Sequence, residues 1–280
     1  FAGIYGLKPT FGRVPTYPAS PFGTLSHAGP MTRTVSDAAL MLTVIAEPDA
    51  RDWYGLPYDN ADYSNSIDGK ISGLKIAFSP TLGLDTLVDA EVAEAVSNAA
   101  QQFADLGASV ETIDINWPVP PRDILMILFT SSAAKLMSML TEEQRSKIEP
   151  TLTAMATEGK KIDMLSLKTA ELDRVANGIY MNNVLAQYDV LLCPTLPVLA
   201  FDAGQPCPND YVDDPFGWIP FTPPFNLTGQ PAASIPCGFS DNGLPIGLQI
   251  IGPMYGDAIV LNASRAFERA HPFADKRPML

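Results

Sequence analysis

The side chains able to carry out nucleophilic chemistry lie close together near the start of the sequence. Ser20 and Ser26 carry candidate nucleophiles, and His27 is the general base nearest to them. Asp37 could orient the imidazole and so complete a serine hydrolase triad. However, neither serine lies in a Gly-x-Ser-x-Gly elbow, and proximity in the sequence does not establish triad geometry. We therefore expect these four residues to be structural.

Composition argues against several other classes of function. The sequence has two histidines and three widely spaced cysteines, so we predict no metal site and no disulfide scaffold. A net charge of −13 disfavours binding to the phosphates of nucleic acids. No apolar run is long enough to span a bilayer, so no membrane segment is predicted. The lack of a disulfide pattern favours a reducing compartment, the cytoplasm.

The spacing of apolar residues predicts alternating strands and helices. Residues 74–78 and 109–113 are predicted strands on either side of an amphipathic helix over 89–106, an arrangement typical of a parallel strand pair. Residues 121–187 are predicted to be mainly helical, with a break at Pro150. They lead into a run of apolar residues over 188–193 that predicts a buried central strand.

The two ends of the chain differ in regularity. The first 35 residues are rich in glycine and proline, and no element is predicted before a helix capped by Ser36. Residues 194–225 are predicted to form a long irregular loop, whose aromatic side chains favour a functional role. Strands over 232–237 and 245–251 form a predicted hairpin, and a helix over 257–270 follows. Nothing divides the chain, so we expect residues 1–280 to belong to one domain.

Five stretches, spread over nearly the whole chain, resemble the amidase-signature family of hydrolases. They are GLKPTFGRV from Gly6, GPMTRTVSDAA from Gly29, YDVLLCPT from Tyr188, NLTGQPA from Asn226 and GLPIGLQIIG from Gly243. The resemblance implies an α/β fold with a mixed, largely parallel β-sheet flanked by helices, of which this chain would form an incomplete part.

The resemblance also implies a reaction, in which a carboxamide and water give a carboxylate and ammonia. Members of the family use a nucleophilic serine, a second serine in a cis peptide and a lysine, with backbone N–H groups stabilising the oxyanion. No metal or organic cofactor is implied. In the family these residues precede the Gly-Leu-Lys-Pro-Thr stretch. Lys8 lies within that stretch, so we expect it to be structural and to donate to loop carbonyls.

The triad serine of the family lies in a Gly-Gly-Ser segment, and this sequence contains none. It opens at Phe1 like the middle of a packed element. We therefore expect the chain to be the C-terminal part of an amidase-signature domain that begins just after the catalytic serine. No catalytic residue is predicted within residues 1–280, and the chain alone is expected to be inactive.

The resemblance places the substrate against the proline-rich segment that precedes Asn226. Trp218, Ile219, Phe221 and Thr222 are the predicted substrate-binding residues. In the branch of the family that releases ammonia from glutamine for tRNA amidation, an acidic residue in this proline-rich segment binds the amino group of the substrate. Trp218 or Ile219 stands there in this sequence, which favours an uncharged, partly apolar or aromatic small-molecule amide over free glutamine. The alternative is that these aromatic residues only pack the loop onto the sheet.

Three further interpretations stay open at this point. The chain could be a non-catalytic fragment or a partner-binding module. It could also be similar to the ammonia-releasing subunit of glutamyl-tRNA(Gln) amidotransferase. Finally, a sheet with uncovered edges would favour a homodimer, because unpaired strand edges tend to associate.

Overall fold

A computed structural model of the protein describes residues 1–67, 70–212, 214 and 216–276. These residues form one sheet with helices on both faces. The strands of the described part are β1 (Tyr5–Lys8), β2 (Met31–Thr32), β3 (Lys75–Phe78), β4 (Ser109–Thr112), β5 (Val190–Pro194), β6 (Ala232–Phe239) and β7 (Pro245–Ile251). Their order across the sheet is β2-β1-β6-β7-β5-β3-β4.

Neighbouring strands run in both directions, which confirms the predicted mixed α/β sheet. β3 is parallel to β4 and to β5, and the other four neighbouring pairs are antiparallel. Apart from β1 and β7, the strands all point the same way. Because β1 and β7 lie between strands of the opposite direction, the sheet has fewer parallel neighbouring pairs than the predicted, largely parallel sheet would have. The short turn from β6 to β7 forces an antiparallel pair, whereas a helix connects β3 to β4.

The helices cover both faces of the sheet. Those of the described residues are α1 (Val35–Ile45), α2 (Ala90–Asp105), α3 (Pro121–Met139), α4 (Glu142–Arg145), α5 (Pro150–Gly159), α6 (Met164–Leu185), α7 (Pro223–Thr228) and α8 (Asp257–Ala270). Three of them, α1, α2 and α8, bury their apolar sides against one face. On the opposite face lie α6 and α7, and α3 packs outside them together with α5. None of these helices is long and apolar enough to cross a membrane.

Most predicted elements coincide with observed ones, and α8 has the predicted bounds. The cap of α1 is Thr34 instead of Ser36, since Thr34 Oγ1 accepts a hydrogen bond from the Asp37 N–H at 3.1 Å. Residues 194–225 are mainly irregular as predicted, although residues 213 and 215 lie outside the described part. Strands β1 and β2 are additional. Each is short, and β1 pairs with β6 from the far end of the chain, so local pattern carries no signal for it.

Gly159, the last residue of α5, sets how closely α5 approaches α3. A Cβ on Gly159 would lie 1.9 Å from the carbonyl oxygen of Thr130 in α3, and backbone cannot yield as a flexible side chain can. We expect Gly159→Ala to separate the two helices and to lower the free energy of unfolding by about 1–3 kcal/mol. Urea unfolding measures this change.

Gly178 on α6 provides the matched control, because no atom of the described residues lies within 4 Å of the Cβ that alanine would add there. Gly178→Ala should leave stability unchanged or raise it by about 0.5–1 kcal/mol, since alanine restricts the unfolded chain. Equal losses of stability in the two variants would contradict the assigned contact.

Candidate functional site

A band of polar residues crosses one face of the otherwise apolar sheet. The strand register places Gly6 of β1 opposite Ser234 of β6, and Ser234 opposite Gln249 of β7. Lys8 lies two residues after Gly6 and therefore faces the same side. A cavity of about 580 Å³ lies above this band. Its walls outside the sheet include His27, Thr222 and Asn226.

Hydrogen bonds fix the floor of this polar cavity. The buried Gln249 side chain donates through Nε2 to the carbonyl oxygen of Phe221 at 3.0 Å. Ser234 Oγ and Thr195 Oγ1 lie 2.8 Å apart and bond to each other. Gly247 leaves room for that pair, since a Cβ there would lie 2.9 Å from Thr195 Oγ1 and 3.0 Å from Ser234 Oγ. The floor therefore presents polar groups in preset orientations.

Lys8 donates to carbonyl groups, as expected for a structural lysine. Its Nζ bonds to the carbonyl oxygen of Gln230 at 2.5 Å and to that of Pro9 at 3.4 Å. Desolvation of the ammonium lowers the pKa of Lys8 to about 7, and the negative charge of Asp257 works in the opposite direction. Lys8 thus ties the loop after β1 to the turn between α7 and β6.

Asp257 holds the same loop from the other side. Its carboxylate is buried at the start of α8 and accepts from the Thr10 N–H and from Thr10 Oγ1, both at 2.8 Å. Arg13 Nε lies 3.5 Å from this carboxylate, and Arg13 also pairs with Asp59 at 2.6 Å. A buried carboxylate with three donors is well compensated, so the loop is held firmly.

His27 lines the polar cavity, and its imidazole is neutral. Its Nδ1 lies 3.1 Å from the carbonyl oxygen of Leu25, which also accepts from Asn226 Nδ2 at 2.9 Å. Because a carbonyl only accepts, Nδ1 carries the proton and Nε2 keeps its lone pair. Desolvation, with the charge of Lys8, lowers the pKa of His27 to about 3. Within the described residues, Nε2 is buried without a hydrogen-bond partner.

Two other residues of the hypothetical serine hydrolase triad, Ser20 and Asp37, form local hydrogen bonds. Ser20 Oγ accepts from the N–H of Phe22 at 3.2 Å, which closes a turn. The Asp37 carboxylate accepts from Thr34 Oγ1 at 2.7 Å at the start of α1. These contacts support the structural interpretation of Ser20 and Asp37.

Arg174 on α6 joins the two segments that wall the cavity. Its guanidinium donates to the carbonyl oxygens of Leu227 and Asn226 near the end of α7, and to the carbonyl and hydroxyl of Thr24. A cation at the carboxyl end of a helix is favourable, because the unpaired carbonyls there carry partial negative charge. The sequence shows no signal for this role, since Arg174 looks like any surface arginine of an amphipathic helix.

An apolar pocket of about 210 Å³ adjoins the polar cavity. It is lined by Leu25, Leu125, Met126, Phe129, Met155, Phe216, Ile219, Pro223 and Asn226. Asn226 is common to the two spaces, so they meet at its side chain. No charged residue of the described part of the chain lines the pocket, which suits an uncharged apolar group.

The four predicted substrate-binding residues differ in position. Thr222 lines the polar cavity, and Ile219 lines the apolar pocket. Trp218 stacks on Phe1 with ring centroids 5.5 Å apart and meets Phe201 edge to face. Phe221 is fully buried, so its side chain supports the cavity from beneath instead of facing it.

Among the described residues, no three His, Cys, Asp or Glu side chains come together in a geometry able to hold a metal ion. The polar groups of the site, including the neutral His27 and the carbonyl-bound Lys8, are suited to hydrogen bonding of an uncharged polar ligand. Gln249, Ser234, Asn226 and Arg174 are the site residues that sequence reasoning missed. Their common feature is that tertiary register, not local sequence, brings them together.

Comparison with known proteins gives consistent matches. The Amidase family model matches residues 1–261. The acylamidase of Rhodococcus erythropolis is 33% identical over 283 residues, which are 99% of this chain and 59% of that protein. A glutamyl-tRNA(Gln) amidotransferase subunit of Streptococcus pneumoniae (strain Hungary19A-6) is 33% identical over 308 residues, or 100% of this chain and 62% of that protein. The chain thus spans less than two thirds of the length of these relatives.

Solved structures agree in fold. A bacterial aryl acylamidase of the amidase signature family superposes with a TM-score of 0.84 at 31% identity, over 99% of this chain and 61% of that one. A 6-aminohexanoate cyclic dimer hydrolase superposes with a TM-score of 0.86 at 23% identity, over 99% of this chain and 62% of that one. At the lower identity the likeness concerns the fold alone.

The lowered pKa of Lys8 predicts how stability depends on pH. Between about 7 in the folded state and the ordinary value near 10.5, the unfolded chain binds more protons at Lys8. The free energy of unfolding should therefore rise with pH in this window. Lys8→Met removes the titrating group, so we expect its stability to rise less between pH 7 and 9 than that of the unsubstituted chain.

Lys75→Met is the control, because Lys75 is exposed at the start of β3. Urea unfolding at several pH values should give Lys75→Met the same pH slope as the unsubstituted chain. Equal slopes for Lys8→Met and the unsubstituted chain would show that the Lys8 ammonium is not desolvated.

Proposed function

The chain belongs to the amidase family, and we propose that its polar cavity and apolar pocket form the substrate side of an amide hydrolase. The reaction converts a carboxamide and water to a carboxylate and ammonia. The observation that carries the proposal is that the two spaces meet at Asn226. A carboxamide with an apolar arm has the same division into a polar head and an apolar body.

In the proposed mechanism a serine hydroxyl attacks the amide carbon and gives up its proton to a base. The base passes this proton to the nitrogen as the C–N bond breaks, so ammonia leaves and an acyl-serine ester forms. Water attacks the ester, releases the carboxylate and restores the hydroxyl. By resemblance to the family, we propose that the serines and the lysine of this chemistry lie ahead of Gly6 and outside residues 1–280.

The residues of this chain would bind and orient the substrate. Thr222 and Asn226 border the polar cavity, and each can exchange hydrogen bonds with a carboxamide. Binding energy from the apolar arm would then hold the scissile carbonyl in place during attack. Phe221 contributes indirectly, because its carbonyl oxygen fixes the Gln249 side chain.

We propose that the substrate is an uncharged, apolar or aromatic amide rather than free glutamine. The lining of the apolar pocket supports this preference, since it consists of aliphatic, thioether and aromatic side chains apart from Asn226. Burying the charged amine and carboxylate of glutamine there would be costly. The similarity to an acylamidase and to an aryl acylamidase is in keeping with it.

A second candidate is the glutamine-hydrolysing subunit of a tRNA amidotransferase. The favouring observation is the 33% identity over the whole chain to a protein of that kind. A homodimer and a cytoplasmic location also stay predictions. The edge strand β4, whose residues are largely exposed, supports the homodimer. The three free cysteines support the cytoplasmic location.

The proposed division of the site predicts which chain turns over substrate. We expect no ammonia release from aliphatic and aromatic amides by residues 1–280 alone. A longer chain that carries the Gly-Gly-Ser segment and the lysine ahead of Phe1 should release ammonia. Activity of the 280-residue chain would show that a nucleophile lies within it.

The proposed substrate preference is tested at the wall of the apolar pocket. In the longer chain, Ile219→Asp places a carboxylate in the pocket, so kcat/KM for apolar amides should fall about 10- to 100-fold relative to that for glutamine. Trp218→Ala should also change the ranking of amides. Trp53→Ala removes an indole that is 80% exposed and should not. An unchanged ranking in both test variants would refute the proposed role of this segment.

A further inference from the structure

The side-chain amide of Asn226 is held in one orientation where the polar cavity meets the apolar pocket. Its Nδ2 donates to the carbonyl oxygen of Leu25 at 2.9 Å. If the amide turned over, Oδ1 would take the place of Nδ2, and two acceptors would face each other without a proton between them. The donor end of the amide is therefore committed to Leu25, and the acceptor end is turned away from it.

The neighbouring imidazole of His27 supports the same assignment. Its Nδ1 lies 3.1 Å from the carbonyl oxygen of Leu25 and 3.4 Å from Asn226 Nδ2. Since the Leu25 oxygen only accepts, Nδ1 carries a proton and cannot accept a bond from Asn226. The one carbonyl oxygen thus accepts from both side chains, which occupies its two lone pairs.

The main chain of Asn226 is fixed as well. Arg174 on α6 donates through Nη2 to the carbonyl oxygen of Asn226 at 3.3 Å and through Nε to that of Leu227. The same guanidinium donates to the hydroxyl and the carbonyl oxygen of Thr24, the residue before Leu25. A planar, rigid donor group therefore joins the segment that carries Asn226 to the segment that carries its acceptor. The orientation of the Asn226 amide is preset by these contacts.

This orientation leaves Oδ1 as the atom that Asn226 offers to a ligand. Among the described residues, no donor bonds to this oxygen, and Asn226 lines both the polar cavity and the apolar pocket. A carboxamide whose apolar arm filled the pocket would have its amide group where the two spaces meet, beside Asn226. The group that an acceptor without a partner needs from such a ligand is an N–H.

We propose that Asn226 Oδ1 accepts a hydrogen bond from the N–H of the amide substrate, and that this contact selects amides over esters. The inference rests on the proposed amide hydrolase function and deepens it, because it identifies the atom that recognises the scissile group. An ester carries an oxygen where the amide carries its N–H, so Oδ1 would lose water without gaining a partner. A tertiary amide fails for the same reason, since its nitrogen bears no proton.

Equilibrium binding to the 280-residue chain tests the proposal without relying on turnover. The probes are the N-methyl amide and the methyl ester of phenylbutyric acid, which have nearly the same shape and differ in N–H against O. We expect the amide to bind about tenfold more tightly than the ester in calorimetry, because the ester leaves a desolvated acceptor unpaired.

The N,N-dimethyl amide of the same acid separates the effect of the N–H from that of the carbonyl group. An amide carbonyl is a stronger acceptor than an ester carbonyl, and the dimethyl amide keeps this carbonyl while it lacks the N–H. It should therefore bind about as weakly as the ester. Binding as tight as that of the N-methyl amide would assign the preference to the carbonyl and overturn the inference.

Substitution locates the effect at Asn226. Asn226→Leu removes the acceptor and keeps a side chain of similar size, so the preference for the N-methyl amide over the ester should fall to about twofold or less. Asn183→Leu makes the same change at an exposed position of α6 that lines neither space, and it should keep the preference. Thermal unfolding of each variant checks that it is folded, and the comparison of the three probes on the unsubstituted chain needs no substitution.

The outcomes separate this inference from the proposed function. Equal binding of the N-methyl amide and the ester would overturn recognition by Asn226 Oδ1 and leave the amide hydrolase proposal standing. A preference that persists in Asn226→Leu would do the same, because another group would then recognise the N–H. Failure of all three probes to bind would overturn both proposals.

Discussion

The ammonium group of Lys8 is the contact on which the arrangement of the site depends. It bonds to the carbonyl oxygen of Gln230, and so fixes the end of β1 against the turn that follows α7. Two residues later, Thr10 is bound to the buried carboxylate of Asp257 on α8. Since α7 and α8 lie on opposite faces of the sheet, these two contacts clamp one loop from both sides. Removing either partner would leave a desolvated polar group unpaired, which is costly.

The sequence was informative wherever a local pattern determines the structure. The apolar periodicity of α2 and α8 and the apolar run of β5 need no distant partner to be recognised, and their bounds agree with the prediction to within a few residues. The strand β1 has no such pattern, because it contains Gly6 and is stabilised by β6, more than 200 residues later. The direction of each strand within the sheet was harder still to predict, because β7 lies between β6 and β5.

The candidate site shows the same division between local and tertiary information. Aromatic residues in a proline-rich segment drew attention to residues 216–222, of which Thr222 and Ile219 line the two spaces, and their role in substrate binding stays a prediction. The burial of Phe221 could not be foreseen, because an aromatic side chain serves a core as readily as a ligand. The sequence offered no indication that Gln249 and Ser234 belong to the candidate site, because only the register of β6 against β7 brings them side by side.

Asn226 is the wall that the polar cavity and the apolar pocket have in common. Its side chain is bound to Leu25 and its carbonyl oxygen to Arg174, so it cannot shift for one space without disturbing the other. A shift of Asn226 would therefore couple the occupancy of one space to that of the other. Any group in the pocket that displaces Asn226 changes the affinity of the cavity for a carboxamide, and the carboxamide changes the affinity of the pocket by the same factor. Under the proposed function, the carboxamide and the apolar part of the substrate would therefore be recognised cooperatively.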